Sequence, residues 1–236
     1  MPTFDDRLAE LSGGVVLDVG TGRGQFASGL AKELKDYTEI IGVDSSEAAI
    51  TEARDKIAID RVRFELMDAE HLQFASESFD TVAMSNSLHH LPEPDIVLSE
   101  MKRVLKPGGV MIVVEMFCDN QSETQMSHVL VHHWWAEIDI LRGVYHRESY
   151  TRQQILGFID RLEMKKTEVY DYIERDDNPH DPERIKMIDD LVVEYFDKIP
   201  DGPEREDLRR RGEEIRQRLQ TTGFSWATCA CVLAWK

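Results

Sequence analysis

The sequence predicts an α/β protein with a doubly wound, mostly parallel sheet. Short apolar runs alternate with amphipathic stretches five times between residues 15 and 117, and a glycine-rich turn follows the first run. Strands that alternate with helices in this way are usually parallel and are joined by right-handed crossovers. A chain of 236 residues suits one such domain, and we therefore expect residues 1–236 to form a single domain.

The first half of the chain supplies the five strands of this alternation. They are predicted at VVLDVG (15–20), EIIGVD (39–44), VRFELMDAE (62–70), FDTVAMSNSL (79–88) and VMIVVEMF (110–117). Helices with one apolar face fall between them, and serine candidates for an N-cap precede the second of these helices. The segment KPGG (106–109) is predicted to stop the helix before the fifth strand.

The second half of the chain is less regular. Helices are predicted at 121–141 and after Thr151, where Gln154 completes the spacing of a capping box. A sixth strand is expected at 165–173 and a seventh at 224–236. Residues 176–222 lie between these strands, which is long for such a connection, and their spacing predicts a helical hairpin.

Composition limits the classes of function. The net charge of -17 repels phosphate backbones, so nucleic acid is not expected as a partner. No apolar run is long enough for a membrane span, and the first residues do not resemble a signal peptide. The three cysteines have neither zinc nor disulfide spacing. We therefore expect a cytoplasmic protein.

The glycine turn after the first strand indicates a small-molecule site. Gly20, Gly22 and Gly24 let a helix N-terminus approach a ligand closely. Gln25 occupies the third position of the dinucleotide pattern G-x-G-x-x-G, which disfavours a nicotinamide oxidoreductase. Asp44, at the end of the second strand, can accept both hydroxyls of a ribose. Asp18, just before the turn, favours a ligand that carries an amino group.

Five segments in this order and spacing resemble one enzyme family. They are VLDVGTGRGQFA, IGVDSS, MDAEHLQF, FDTVAMSNSLHHL and VLSEMKRVLKPGGVMIVVE. Together they resemble class I S-adenosylmethionine-dependent methyltransferases, in the small-molecule branch typified by quinone-biosynthesis C-methyltransferases. The resemblance implies a Rossmann-like, seven-stranded sheet whose last strand runs antiparallel between the fifth and the sixth.

The resemblance also implies a cofactor, S-adenosyl-L-methionine, with S-adenosyl-L-homocysteine as its product. Asp18 and the turn would surround the methionine moiety, Asp44 and Ser45 the ribose, Asp68 and the Ala69 backbone the adenine, and Asn86 and Ser87 the methionine tail and the methyl group. The predicted cofactor site comprises Asp18, Gly20, Thr21, Gly22, Gly24, Gln25, Asp44, Ser45, Asp68, Ala69, Asn86 and Ser87. The alternative is that Asp44 and Asp68 only cap helices or turns.

The acceptor is expected to be a small molecule. Methyltransferases that act on the amines of nucleic-acid bases carry N/D-P-P-Y after the fourth strand, whereas this chain has SNSL there. His89 or His90 in the following SLHHL could act as a base near the methyl group, but both could equally cap and pack the turn. No catalytic residue is assigned; His89, His132 and Tyr145 are candidates.

Residues 120–150 follow the fifth strand and are predicted to cover the acceptor. Trp134, Trp135, His132, Tyr145 and Arg147 are the expected acceptor-binding residues, and Arg147 would favour a carboxylate or phosphate. The alternative is that the two tryptophans only pack the helix.

A metal pair is a third interpretation of this segment. His128 and His132 lie four residues apart, and Asp139 could join them as a third ligand. This pattern alone is weak evidence, and no metal site is predicted from it.

The sequence therefore predicts methyl transfer by in-line displacement at a sulfonium, a reaction that depends mostly on positioning. A non-catalytic or regulatory S-adenosylmethionine-binding protein is the alternative, because intact cofactor motifs do not distinguish the two. The hairpin of 176–222 could also mediate a homodimer.

Overall fold

A seven-stranded sheet lies at the centre of the computed structural model, which describes residues 2–173 and 178–236. Its strands are β1 (Val15–Val19), β2 (Glu39–Asp44), β3 (Val62–Leu66), β4 (Phe79–Ser85), β5 (Leu105–Met116), β6 (Lys166–Tyr172) and β7 (Cys229–Trp235). Their order across the sheet is β3-β2-β1-β4-β5-β7-β6. The predicted fold class is confirmed.

Pairing within the sheet follows the expected pattern. Strands β1 to β5 pair in parallel with one another, and β7 runs antiparallel between β5 and β6. From β1 the chain adds β2 and β3 toward one edge of the sheet, and from β4 it adds the later strands toward the other edge. The direction of strand addition therefore reverses between β1 and β4. A crevice forms there outside the carboxyl ends of the strands.

The helices described by the structure flank this sheet. They are α1 (Phe4–Glu10), α2 (Gln25–Glu33), α3 (Glu47–Lys56), α4 (Pro94–Val104), α5 (Glu123–Leu141), α6 (Arg152–Asp160), α7 (Pro182–Lys198) and α8 (Arg205–Thr221), with a short 3-10 turn at Leu88–His90. Ser46 caps α3, and Thr151 and Gln154 form a complete capping box on α6, as their spacing predicts. None of the helices in the described ranges is long and apolar enough to cross a membrane.

The three largest apolar clusters of the described residues hold these layers together. Two lie on opposite faces of the sheet and draw on its alternating buried residues. The third joins α5 to α7 and α8 and includes Trp134, Phe196 and Phe224. The segment 176–222 thus contains two packed helices, while its first two residues, 176 and 177, lie outside the described residues.

Strands β3 and β4 end at Leu66 and Ser85, earlier than predicted, and the starts of two other strands also differ from the predicted ones. Strand β5 begins at Leu105 and includes the KPGG segment, so helix α4 ends at Val104 before that segment is reached. Strand β7 begins at Cys229 and not at Phe224. The apolar residues Phe224 and Trp226 belong to the cluster beneath the hairpin, which explains why their hydrophobicity mimicked a strand.

Candidate cofactor and acceptor site

The glycine turn between β1 and α2 uses its three glycines for different purposes. All three have positive φ, at 68° for Gly20, 53° for Gly22 and 82° for Gly24. A Cβ on Gly22 would meet no atom within 4 Å, whereas a Cβ on Gly24 would lie 2.6 Å from the Phe64 ring. Gly22 therefore opens the turn toward a ligand, and Gly24 lets the helix pack against the sheet.

Asp44 ties this turn to the end of β2. Its Oδ2 accepts the Gly22 N–H at 2.8 Å, and its Oδ1 accepts the Ser46 N–H at 2.8 Å. Each carboxylate oxygen can accept a second hydrogen bond. The carboxylate is thus oriented by the backbone and can still accept from the two hydroxyls of a ribose.

Asp18 lies behind the turn. Its carboxyl is fully buried, and its Oδ2 accepts the Thr21 hydroxyl at 2.6 Å. Among the described residues Oδ1 has no hydrogen-bond partner. Burial, which outweighs the hydrogen bond from Thr21, raises the pKa of Asp18 to about 7. Asp18 does not line the cleft, contrary to the direct contact expected from the sequence.

A cleft of about 620 Å³ lies over the carboxyl ends of β1, β2 and β4. Ten of the twelve predicted cofactor residues line it: Gly20, Thr21, Gly22, Gln25, Asp44, Ser45, Asp68, Ala69, Asn86 and Ser87. The other two, Asp18 and Gly24, are buried beneath the turn. Asp68 is exposed, and its Oδ1 accepts the Glu70 N–H at 2.9 Å.

The end of β4 forms the floor of this cleft. Asn86 has a φ of 46°, which is uncommon outside glycine. Its backbone N–H donates to Val114, and its Oδ1 accepts the Met116 N–H at 3.0 Å, so β5 holds it in this conformation. The Ser87 hydroxyl lies 2.9 Å from the Gly20 carbonyl oxygen, to which it donates. These contacts join the two loops that border the cleft.

A second pocket, of about 310 Å³, shares Phe26, Ser85 and Asn86 with the cleft. Its other walls come from α1, α2, β5, α5, β6 and β7. They are Phe4, Asp5, Leu8, Gly29, Leu30, Glu33, Val114, Met116, His128, Tyr172, Trp226, Ala227, Cys229 and Cys231. This apolar pocket was not predicted from the sequence, although α1 has a clear signal of its own in the capping box of Thr3 and Asp6.

His128 is the imidazole of this apolar pocket. Its Nδ1 accepts the Ala227 N–H at 3.0 Å, which places the proton of the neutral ring on Nε2. Burial lowers the pKa of His128 to about 4. The side chain is therefore a hydrogen-bond donor near neutral pH and not a base.

The two predicted tryptophans lie elsewhere. Trp134 is buried against α8, and its Nε1 donates to the Leu208 carbonyl at 2.9 Å. Trp135 is half-buried and packs on the ring of Tyr195 in α7. Neither lines the cleft or the apolar pocket. The geometry corresponds to the packing alternative, because one face of α5 is covered by the hairpin.

The remaining predicted acceptor residues also lie outside both cavities. Tyr145 is exposed, and the Arg147 guanidinium stacks over the Tyr150 ring at 3.8 Å. His132 is buried next to His89, with ring centroids 4.6 Å apart. Of the two histidines in the SLHHL segment, His90 lines the cleft and His89 does not. Nε2 of His146 lies 3.1 Å from Nε2 of His132, a contact that nothing in the sequence indicated beyond the position of His146 in the predicted lid.

Comparison with known proteins agrees with this geometry. The model of a family described as "Methyltransferase domain" matches residues 10–176. "Methyltransferase GfsG" from Streptomyces halstedii is 32% identical over 163 residues, which are 67% of this chain and 57% of that protein. "Ubiquinone/menaquinone biosynthesis C-methyltransferase UbiE" from Geobacter sulfurreducens is 37% identical over 107 residues, 44% of this chain and 42% of that protein.

A solved structure extends the similarity of fold. Haemonchus contortus phosphoethanolamine N-methyltransferase 2, in complex with S-adenosyl-L-methionine, superposes with a TM-score of 0.57 at 20% identity. The match covers 98% of this chain and 50% of that one. This chain spans about half the length of the curated relatives it matches. On the match over residues 10–176 and the shared fold, the chain belongs to the methyltransferase domain family and has the Rossmann-like sheet of the class I methyltransferases.

Proposed function

We propose that this enzyme transfers the methyl group of S-adenosylmethionine to a small, largely apolar acceptor held in the apolar pocket. The observation that carries the proposal is the wall shared by the two cavities. Phe26, Ser85 and Asn86 line both the cleft and the apolar pocket. A methyl donor in the cleft and an acceptor in the pocket would therefore meet at the end of β4.

The residues of the cleft fit the cofactor. The open space in front of Gly22 would take the methionine moiety, and Asp44 would accept from the ribose hydroxyls. Asp68 and Ala69 would border the adenine. Asp18 lies beneath the turn, where its Oδ2 accepts the Thr21 hydroxyl, and it would support the turn without direct contact to the ligand. When bound, the cofactor supplies an electrophilic methyl group on a positively charged sulfur.

The walls of the apolar pocket indicate the chemistry of the acceptor. Aromatic side chains from Phe4, Phe26 and Trp226 provide apolar contact surface, and the volume is at the small end for ligand sites. The charged side chains that line it are the carboxylates Asp5 and Glu33, with neither lysine nor arginine among the described lining residues. A neutral or cationic acceptor therefore suits this pocket better than the carboxylate or phosphate that Arg147 suggested.

Catalysis in this pocket would rest on alignment. His128 donates from Nε2 and cannot take up a proton near neutral pH, because its pKa is about 4. It would orient an electron-rich atom of the acceptor. Alignment of a nucleophile with the methyl carbon, together with exclusion of water by α1, can supply much of the rate enhancement.

The test is methyl transfer from radiolabelled S-adenosylmethionine to a fractionated pool of small metabolites. We expect labelled product in an apolar fraction and a decrease of at least 10-fold in kcat/KM for Trp226→Ala and Phe4→Ala, with nearly unchanged affinity for S-adenosylhomocysteine. Met187→Ala, at an exposed position of α7, is the control.

The outcomes separate the alternatives. Full activity in both pocket variants would overturn the assignment of the apolar pocket. Cofactor binding without a single turnover on any fraction would favour the non-catalytic alternative. The cytoplasmic location and the homodimer stay predictions.

A further inference from the structure

Three histidines form a buried cluster beside the cofactor cleft. They are His89 in the 3-10 turn after β4, His132 in α5 and His146 in the loop before α6. Each is less than one-tenth exposed, and one ligand-capable nitrogen from each lies within 4.8 Å of the others. We call this group the three-histidine cluster.

In each of the three rings Nδ1, here called the outer nitrogen, lies within hydrogen-bond distance of an oxygen atom, and Nε2 is called the inner nitrogen. Glu115, which is fully buried in β5, accepts from Nδ1 of His89, and Asp139 Oδ2 lies 2.9 Å from Nδ1 of His146. The Ser149 hydroxyl is 3.4 Å from Nδ1 of His132. Carboxylates accept, so Nδ1 carries the proton in His89 and His146, and their Nε2 atoms keep the lone pairs.

The inner nitrogens face one another. Nε2 of His132 and Nε2 of His146 are 3.1 Å apart, and the His132 ring meets the His89 ring edge-on at 4.6 Å. Because Nδ1 of His146 already donates to Asp139, Nε2 of the neutral His146 ring accepts from the Nε2–H of His132 at this distance. A cation that entered this buried space would take the Nε2 lone pairs of His89 and His146, and His132 would offer its own Nε2 once its proton moves to Nδ1, beside the Ser149 hydroxyl.

We propose that the three-histidine cluster binds a divalent transition metal ion, and that Zn²⁺ is the preferred metal. Neutral imidazoles are suitable ligands for Zn²⁺, and three of them leave a fourth position of a tetrahedral site for water. The carboxylate behind a ligating histidine is the usual outer partner at such sites, where it sets the tautomer and the ring orientation.

This site differs from the metal pair considered from the sequence. His128 is not part of it, because its Nδ1 accepts the Ala227 N–H and its ring lies against Trp226. Asp139 acts behind His146 and is not itself one of the three converging groups. The residues that complete the cluster, His89 and His146, lie outside helix α5, so the spacing of residues within that helix could not reveal them.

The three-histidine cluster adjoins the cleft through His90. The centroid of the His90 ring lies 4.3 Å from the centroid of the His89 ring and 4.2 Å from that of the His146 ring. His90 also lines the cleft. A metal ion there would fix α5, the loop around His146 and the turn after β4 against each other. The proposal goes beyond the proposed methyl transfer and does not depend on the acceptor.

The experiment is metal binding to the purified full chain, prepared without a histidine tag and freed of metal by a chelator. Zn²⁺ is titrated in competition with a chromophoric chelator, and Co²⁺ is titrated by visible absorption. We expect one Zn²⁺ per chain and the intense d–d bands of tetrahedral Co²⁺. His146→Gln should weaken binding at least 100-fold, and Asp139→Asn roughly 10–100-fold through loss of the outer partner.

His180→Gln, at an exposed histidine, is the matched control and should bind like the unmodified chain. Circular dichroism verifies that each variant is folded, and Asp139→Asn keeps the proposal testable if His146→Gln does not fold. Equal affinity in the unmodified chain, His146→Gln and Asp139→Asn would overturn the proposal. So would a Co²⁺ spectrum no different from that of the aqueous ion.

Discussion

Asp44 is the side chain on which cofactor affinity should depend most directly. It holds the Gly22 and Ser46 N–H groups and is oriented to accept from a ribose. Asp44→Ala should weaken S-adenosylhomocysteine binding by about 1–3 kcal/mol, because donors would lose their partner on a buried surface. Isothermal titration calorimetry measures this, with the exposed Asp60→Ala as control. Unchanged affinity would remove Asp44 from the site.

Asp18 should make stability depend on pH. Its pKa is about 7 in the folded chain against an ordinary value of 3.8, so the folded state binds the proton more tightly. The stabilising contribution is therefore present in acid and is lost as pH rises from 3.8 to about 7. Urea unfolding across this range should show a falling difference in unfolding free energy between the unmodified chain and Asp18→Asn. Parallel pH profiles would contradict the assignment.

Residue types alone did not reveal what Asp18 contacts. An acid before a glycine turn can face the ligand or support the turn, and both positions satisfy the same motif. In the structure Asp18 is fully buried beneath the turn, where its Oδ2 accepts the Thr21 hydroxyl. Asp44 has the opposite geometry, because it ends its strand at the edge of the cleft.

At the scale of elements, the glycine turn allows a paired test. Gly22→Ala should keep most of the stability, apart from the roughly 1–2 kcal/mol cost of positive φ, and should lose cofactor affinity because its Cβ enters open space in the cleft. Gly24→Ala should lose more stability, because its Cβ would overlap Ile57 and Phe64. Thermal unfolding and calorimetry on both variants measure the contrast. Equal stability losses would show that the two glycines share one role.

Helix α5 provides the second test at this scale. Trp134→Ala should destabilise the chain by about 3–5 kcal/mol, since it removes a buried ring and leaves the Leu208 carbonyl without its donor. Urea unfolding measures the loss, and cofactor affinity should change little. Trp135→Ala, at a half-buried ring, is the comparison and should cost less. A selective loss of acceptor turnover in Trp134→Ala at unchanged stability would restore the tryptophan to the acceptor site.

At the scale of the whole molecule, the sheet and the hairpin differ in how they are held. Strands β4, β5 and β7 are buried between two apolar clusters, whereas α7 and α8 rest on one cluster and expose their outer faces. Amide hydrogens in α8 should therefore exchange faster than those in β4 and β5, through local opening of the hairpin. Exchange measured by mass spectrometry tests this. Equal protection would mean that the hairpin and the sheet unfold as one unit.

The sequence by itself determined the alternating strands and the glycine turn, whereas the cofactor expected in the cleft came from the family resemblance. These features are local: the strand, the turn and the helix that follow one another from Val15 to Glu33 carry their own hydrophobic pattern and their own glycines. The antiparallel last strand came from the family resemblance. The position of Asp44, the proposed ribose partner, is also a local feature, since it ends a strand beside the turn.

Only the tertiary structure decided the apolar pocket and the three-histidine cluster. The pocket combines α1 with α5 and β7, and the cluster combines the turn after β4 with α5 and the loop around His146. Helical spacing places His128 and His132 on α5 but does not say which neighbour covers each turn of that helix. The hairpin packs over Trp134, whereas His128 contacts the segment before β7 and lines the apolar pocket. Both contacts join segments that are far apart in the chain.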